Sequence, residues 1–144
     1  MLRYILLAGL FISGLSAPVL AADAQFFSTL DPAPMTMATR DSVAGTGSVS
    51  AELTGNKLTV QGSFSGLSAS ASKAELRGGS MTGVPGDAFA ELTVTRAANG
   101  ALSGTVSLDR AKLKALRDGA LYVQINTEKA PDGALRAWLL TRQP

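Results

Sequence analysis

Polar side chains interrupt the last apolar stretch of the 144-residue chain, LYVQINTEKAPDGALRAWLL. The pair Asn126-Thr127 follows alternating apolar residues, and Arg136 stands between apolar neighbours in the next run. Amide and hydroxyl groups make directed hydrogen bonds, and a guanidinium makes charge-assisted ones. These placements indicate either a functional site or the solvated side of an ordinary sheet.

Catalytic side chains are scarce in this chain. The sequence contains no His and no Cys, so the usual general base and the usual metal ligand are both missing. Carboxylates are scattered, and no two share a strand face with an apolar pocket that would raise a pKa. Ser70-Ala71-Ser72-Lys73 matches the Ser-x-x-Lys of penicillin-recognising enzymes by chance, because the partner motifs are absent. We expect no catalytic residues and no cofactor.

Methionines are the one set of soft metal ligands in the sequence. Met35-Thr36-Met37, with Met81 elsewhere, could supply thioethers to Cu(I) in an exported protein. Methionine is also a common gap-filler in cores. The spacing alone therefore leaves copper handling as an alternative to a purely structural role.

The first residues have the layout of a secretory signal peptide. One charge at Arg3 precedes an almost entirely apolar run over residues 4–20, and small residues follow it. We assign residues 1–21 to the leader, with cleavage after Ala21, Ala22 or Ala24, and residues 25–144 to a single domain. We expect a periplasmic or extracellular protein.

The net charge of the chain and the length of its first apolar run exclude several further classes of protein. Gly9, Gly14 and Pro18 interrupt an apolar run shorter than the roughly 20 residues of a membrane span, so we expect no membrane anchor after cleavage. Loss of Arg3 lowers the formal net charge of +2 by one, and we expect no nucleic-acid binding. The basic residues within 110–117 are interpreted as the solvent-exposed face of a helix. Without Cys the fold rests on its core alone.

Apolar residues recur with a period of two, and turn residues separate the runs at short intervals. This pattern predicts an all-β fold, a Greek-key sandwich or partly closed barrel of about seven to nine strands. Two hairpin turns stand out, at Gly55-Asn56 and at Asn99-Gly100, the second a type I′ turn with positive φ at both residues. The strands are predicted to begin at Phe26-Phe27 and then to span 47–53, 57–64, 72–77, 87–95, 101–108, 121–127 and 135–139.

One segment, residues 109–118, breaks the β rhythm and predicts a short helix. Asp109 can cap its first turn, Leu113 and Leu116 share one face, and Gly119 suits the left-handed residue after its end. On the strand that follows, Tyr122 has the opposite parity to the core positions, as does Trp138 on the last strand. Both are expected on the outer face beside Arg136 or under the helix. If exposed, they would form a recognition surface.

Four segments in order resemble the CHRD domain, a family first described in chordin and common in exported bacterial proteins. The resemblance covers nearly all of the chain from Phe27 to Leu140. The matching segments are GTGSVSAELTGNKLTVQGSFSGL, SASKAELRGG, NGALSGTVSLDRAKLKALRDGALYVQINT and APDGALRAWLL.

The chain departs from this family at three histidines. Members usually carry His-x-His where this chain has Glu75-Leu76-Arg77, and His-Thr where it has Asn126-Thr127, whereas Arg136 is kept. The resemblance thus implies a candidate site of Glu75, Arg77, Asn126, Thr127 and Arg136. A guanidinium cannot coordinate a cation, so we predict no metal there. The site is either a structural polar cluster or a binding patch.

Together these features predict an exported, CHRD-like, non-enzymatic binding or structural module. Its expected partner is another exported protein or a component of the cell envelope. The alternative is a periplasmic copper-handling protein that uses the relocated methionines or a degenerate family site.

Overall fold

The computed structural model describes residues 23–141 as a closed barrel of eight antiparallel strands with one short helix. The predicted leader lies outside these residues. The elements are β1 (Ala24–Pro32), β2 (Thr46–Thr54), β3 (Lys57–Ser65), β4 (Ala71–Gly78), β5 (Asp87–Val94), β6 (Gly100–Ser107), α1 (Arg110–Arg117), β7 (Leu121–Thr127) and β8 (Leu135–Trp138). The all-β prediction and the single helix are confirmed.

The strands follow one another around the barrel in the order β1-β2-β3-β6-β5-β4-β7-β8. Strands β4, β5 and β6 are neighbours in sequence, and β7 returns through α1 to pair with β4, which is a Greek key. The barrel closes where Asp31 pairs with Arg136 and Pro32 with Leu135. Of the two predicted architectures, the chain therefore adopts the barrel.

Alternate residues of each strand fill the barrel, as the period of two requires. On β3 the alternate residues Leu58, Val60 and Phe64 are all buried. Gly47 of β2 lies opposite Phe64, and a Cβ at Gly47 would overlap the Ser63 carbonyl oxygen. A glycine is required here because the two backbones pass too closely for any side chain.

The β2–β3 turn forms as predicted. Thr54 pairs with Lys57 across a two-residue turn, and Gly55 has a φ of 62°. The Asp23 carboxylate accepts a hydrogen bond from the Gly55 N–H at 2.6 Å. The residue just before β1 therefore holds this turn in place.

The predicted type I′ turn at Asn99-Gly100 is wrong, because neither residue has a positive φ. Strand β5 ends at Val94 and β6 begins at Gly100, so a five-residue loop joins them. The Asn99 side chain accepts a hydrogen bond from the Gly66 N–H at 2.9 Å. The Ala98 carbonyl accepts from the Leu67 N–H of the same β3–β4 connection, and the Ala97 carbonyl accepts from the N–H of Ala71 at the start of β4. The loop is longer than predicted because it also binds a neighbouring loop.

Helix α1 has the predicted caps. The Asp109 carboxylate accepts from the Lys112 N–H at 2.8 Å, and Gly119 has a φ of 72°. Leu116 is buried against the barrel, while the Lys112 ammonium lies 4.5 Å from the centre of the Phe89 ring. Within residues 23–141 no helix has the length and apolar character that crossing a bilayer requires.

Candidate functional site

The outer surface of β4, β7 and β8 carries a continuous set of polar and aromatic side chains, which we call the polar face. Leu121, Val123 and Ile125 point into the barrel, so the alternate residues of β7 point outward. Strand pairing aligns the outward residues in rows across the three strands. These rows are Arg77, Tyr122 and Trp138; Glu75, Gln124 and Arg136; and Lys73 with Asn126.

One half of the polar face is centred on Arg77. Its Nη1 donates to Glu75 Oε2 at 2.6 Å, and its Nε donates to the Gly86 carbonyl at 3.0 Å and to the Tyr122 hydroxyl at 3.2 Å. That hydroxyl donates to the Gly86 carbonyl at 3.0 Å and accepts from the Gly86 N–H at 2.9 Å. The β4–β5 connection, residues 79–86, is thus attached to the polar face through both polar backbone groups of Gly86.

This attachment affects the exposure of the two aromatic residues of the polar face, Tyr122 and Trp138. Tyr122 lies on the outer face as its parity predicts, but it is fully buried. It is packed against Trp138, with ring centres 4.4 Å apart, and against the Arg136 guanidinium, 5.1 Å from its ring centre. The recognition surface that Tyr122 would form if exposed is therefore not available. A loop, rather than the helix, contacts its hydroxyl.

The charges of this half are paired with one another. Partial burial by itself lowers the pKa of Arg77, but its hydrogen bonds to Tyr122 and Glu75 outweigh that effect, and the pKa rises above its ordinary value. The Lys73 ammonium lies 3.6 Å from the other oxygen of Glu75. Arg77 is therefore a permanent cation with an acidic partner at its side.

The other half is organised by Gln124, which the sequence analysis did not single out. Its Oε1 accepts from Arg136 Nε at 3.2 Å and from Arg136 Nη2 at 2.9 Å. Its Nε2 donates to Asn126 Oδ1 at 2.9 Å and to the Asp132 carbonyl at 3.3 Å. Because Gln124 shares its strand parity with Asn126, that parity was the signal that could have identified it.

The five candidate residues therefore divide into two sets. Four of them lie on the polar face: Glu75, Arg77, Asn126 and Arg136. Asn126 is linked to Arg136 through Gln124, which makes a hydrogen bond to each of them. Thr127 points the other way and is buried, and its hydroxyl accepts from the Ala130 N–H at 3.0 Å. Its position is that of a residue that closes the β7–β8 turn.

In the part of the chain that the structure describes, Arg136 differs from Arg77 in having no acidic partner. Among residues 23–141, no carboxylate oxygen lies within 4.0 Å of its guanidinium. Asp31 is its partner in the β1–β8 register, but the Asp31 carboxylate accepts from the Thr29 hydroxyl instead. Arg136 is thus a half-buried cation that a neutral amide holds in one orientation.

A pocket of about 270 Å³ opens beside Arg136. Its walls come from the β1–β2 connection within residues 33–43, from the β7–β8 turn at 129–133, and from Pro85. The pocket therefore lies where three connections meet, next to the pairing of β1 with β8.

No group of three or more His, Cys, Asp or Glu residues within the described range 23–141 is arranged to hold a metal ion. The methionines of the copper hypothesis are exposed on two connections, Met35 and Met37 after β1 and Met81 after β4. At the family positions, the Glu75 carboxylate is engaged by Arg77. Copper handling stays a prediction.

Comparison with known families gives a match over nearly the whole of the described barrel. A family model described as the CHRD domain matches residues 26–139, which span β1 through β8 and so include the whole polar face. No curated protein and no solved structure matches the chain. The family match covers most of the 144 residues, and the chain therefore belongs to the CHRD domain family.

Proposed function

We propose that this protein is an exported, non-enzymatic binding module. Its partner is another exported protein or a component of the cell envelope, and the Arg136 end of the polar face makes the contact. The observation that carries this proposal is the guanidinium of Arg136, which is oriented by Gln124, lacks a carboxylate partner among residues 23–141, and lines a pocket.

The two halves of the polar face have different roles in this proposal. Around Arg77, the charged and hydroxyl groups pair with each other and with Gly86, so a ligand would have to break existing hydrogen bonds to bind there. Around Arg136, the donor atom Nη1 has no acceptor among residues 23–141. Charge-assisted hydrogen bonds to a ligand are available at Arg136 without such a loss.

Export through the leader is part of the proposal. Cleavage after Ala21 or Ala22 keeps Asp23, whose carboxylate holds the β2–β3 turn, whereas cleavage after Ala24 would remove it. We expect Edman or mass-spectrometric sequencing of the exported protein to give a first residue of Ala22 or Asp23. A protein that begins at Met1 in the exported fraction would contradict this step.

Three alanine variants test the binding role. Arg136→Ala is expected to lose its partners in pull-downs from an envelope extract, and its melting temperature should fall by several degrees because the buried Gln124 Oε1 loses both of its donors. Arg77→Ala is expected to melt at a lower temperature and, once folded, to keep its partners. Asn126→Ala should resemble Arg136→Ala more weakly, because it acts through Gln124.

The control is Arg110→Ala, which removes an exposed arginine from α1 and should change neither measurement. If all three variants of the polar face keep the wild-type partners and only their melting temperatures fall, the polar face is structural and the proposal is wrong.

A further inference from the structure

We propose that the pocket beside Arg136 binds a carboxylate group attached to a small apolar body. The free carboxyl terminus of a peptide and a small organic acid share this chemistry. The inference rests on the proposed binding function and names the class of ligand that this site takes.

The cationic end of the pocket fits a carboxylate. Gln124 Oε1 accepts from both Nε and Nη2 of Arg136, which fixes the plane of the guanidinium. The remaining hydrogens of Nη1 and Nη2 form the edge that pairs with two carboxylate oxygens. Because Gln124 is neutral, the positive charge of Arg136 is oriented but not cancelled.

The walls of the pocket fit an apolar group. Six of the residues that line it are apolar: Ala33, Pro34, Val43, Pro85, Ala130 and Pro131. Three of these six are prolines, which have no N–H to donate, so this part of the wall offers few polar contacts to an anion's oxygens. The cavity of about 270 Å³ compares with the roughly 30 Å³ that one water molecule takes up in the liquid. A ligand of about ten non-hydrogen atoms, similar to one or two amino-acid residues, would fill it.

The charge balance favours one negative charge over two. Lys129 adds a second cation to the lining, whereas Asp132 adds a carboxylate of its own. With these three charges the pocket has a surplus of one positive charge, which suits a single carboxylate. A dianionic phosphate would bring a second charge close to Asp132 and would lack an apolar part to fill the walls.

The experiment is a calorimetric and NMR titration of the mature protein with N-acetyl-Ala-Leu that has either a free or an amidated carboxyl terminus. We expect the free acid to bind at least about tenfold more tightly than the amide, because the amide cannot form a charge-assisted pair with Arg136. A second arm uses 3-methylbutanoate, and a third uses inorganic phosphate. Binding of the dipeptide alone identifies a peptide terminus, and binding of both acids identifies a general carboxylate site. Binding of phosphate alone would overturn the proposal.

Three variants locate the site. Arg136→Gln should weaken binding of the free acid about tenfold and leave the amide unchanged. Arg136→Lys, which keeps the charge but not the two-pronged edge, should fall between it and the wild type. Asp132→Asn should tighten binding because it removes the repelling carboxylate, and it leaves the Asp132 carbonyl that Gln124 uses. This last variant keeps the test valid if substitution of Arg136 prevents folding.

The outcomes separate this inference from the proposed function. If neither acid binds, or if the amide binds as well as the acid, the ligand class is wrong. Partners lost with Arg136→Ala in the pull-down would then still support a binding module. If the acids bind and their binding depends on Arg136, but no partner depends on it, the pocket exists and the macromolecular role is wrong.

Discussion

The hydroxyl of Tyr122 is a sensitive test of how the β4–β5 connection is held on the barrel. Replacing Tyr122 with Phe keeps the buried ring, its contact with Trp138 and its contact with Arg136. It removes the one acceptor that the Gly86 N–H has among residues 23–141. The Gly86 carbonyl still accepts a hydrogen bond from Arg77 Nε.

The magnitude follows from what is left without a partner. A buried donor that loses its acceptor costs about 1–3 kcal/mol. Gly86 is half-buried, and Arg77 Nε keeps one of its two acceptors, so we expect about 2 kcal/mol. For a domain of this size, each kcal/mol lowers the melting temperature by about 4 °C. The expected decrease is about 8 °C.

Urea denaturation followed by circular dichroism gives the free energy of unfolding, and a thermal scan gives the melting temperature. The control is Thr105→Val, which also deletes a strand hydroxyl, but an exposed one that contacts the Thr59 hydroxyl at the long distance of 3.4 Å. We expect it to change stability by less than about 0.5 kcal/mol. If Tyr122→Phe is no less stable than Thr105→Val, the hydroxyl does not hold the connection and the division of the polar face fails.

The remaining predictions concern the ion pair, the strand approach and the metal. In a double-mutant cycle, Glu75→Gln and Arg77→Met should show a coupling of about 1 kcal/mol, since the pair is mostly but not fully buried; a coupling near zero would contradict the 2.6 Å contact. Gly47→Ala should cost about 3 kcal/mol because its Cβ meets a backbone oxygen. Gly55→Ala, which meets no atom within 4 Å, should cost only the roughly 1 kcal/mol of its left-handed φ; equal losses in urea melts would refute the clash. Elemental analysis of protein from the exported fraction should find less than one equivalent of copper, zinc or calcium, and one bound copper per chain would favour the methionine hypothesis.

The period of two in the sequence was sufficient to predict the strands, and the break in that period, with Asp109 and Gly119 at its ends, predicted the helix. It could not predict closure of the barrel, because nothing local in β1 or β8 specifies that Asp31 will pair with Arg136. The prediction of a type I′ turn at Asn99 was wrong for a similar reason. Its side chain is used by Gly66, a residue 33 positions away in the chain, and a local turn preference gave way to that contact.

The candidate site shows the same limit. Parity places Glu75 and Arg77 on one face of β4, the family resemblance adds Asn126, and all three lie on the polar face. Parity does not say what lies over a face, so the contact of the Tyr122 hydroxyl with Gly86 of the β4–β5 connection was not predicted. Nor does the family resemblance point to Gln124, the residue that joins Asn126 to Arg136.

The pairing of β1 with β8 also limits the order in which the molecule can fold. Its partners Asp31 and Arg136 are more than one hundred positions apart in the sequence, so bringing them together costs about 4 kcal/mol of chain entropy. Hairpins such as β2–β3 join neighbouring segments and can form much earlier. The slow, non-local pairing is the one that assembles the pocket walls around Arg136. A ligand of this pocket would therefore bind only chains that have completed folding, and it would stabilise the closed barrel over every partly paired form.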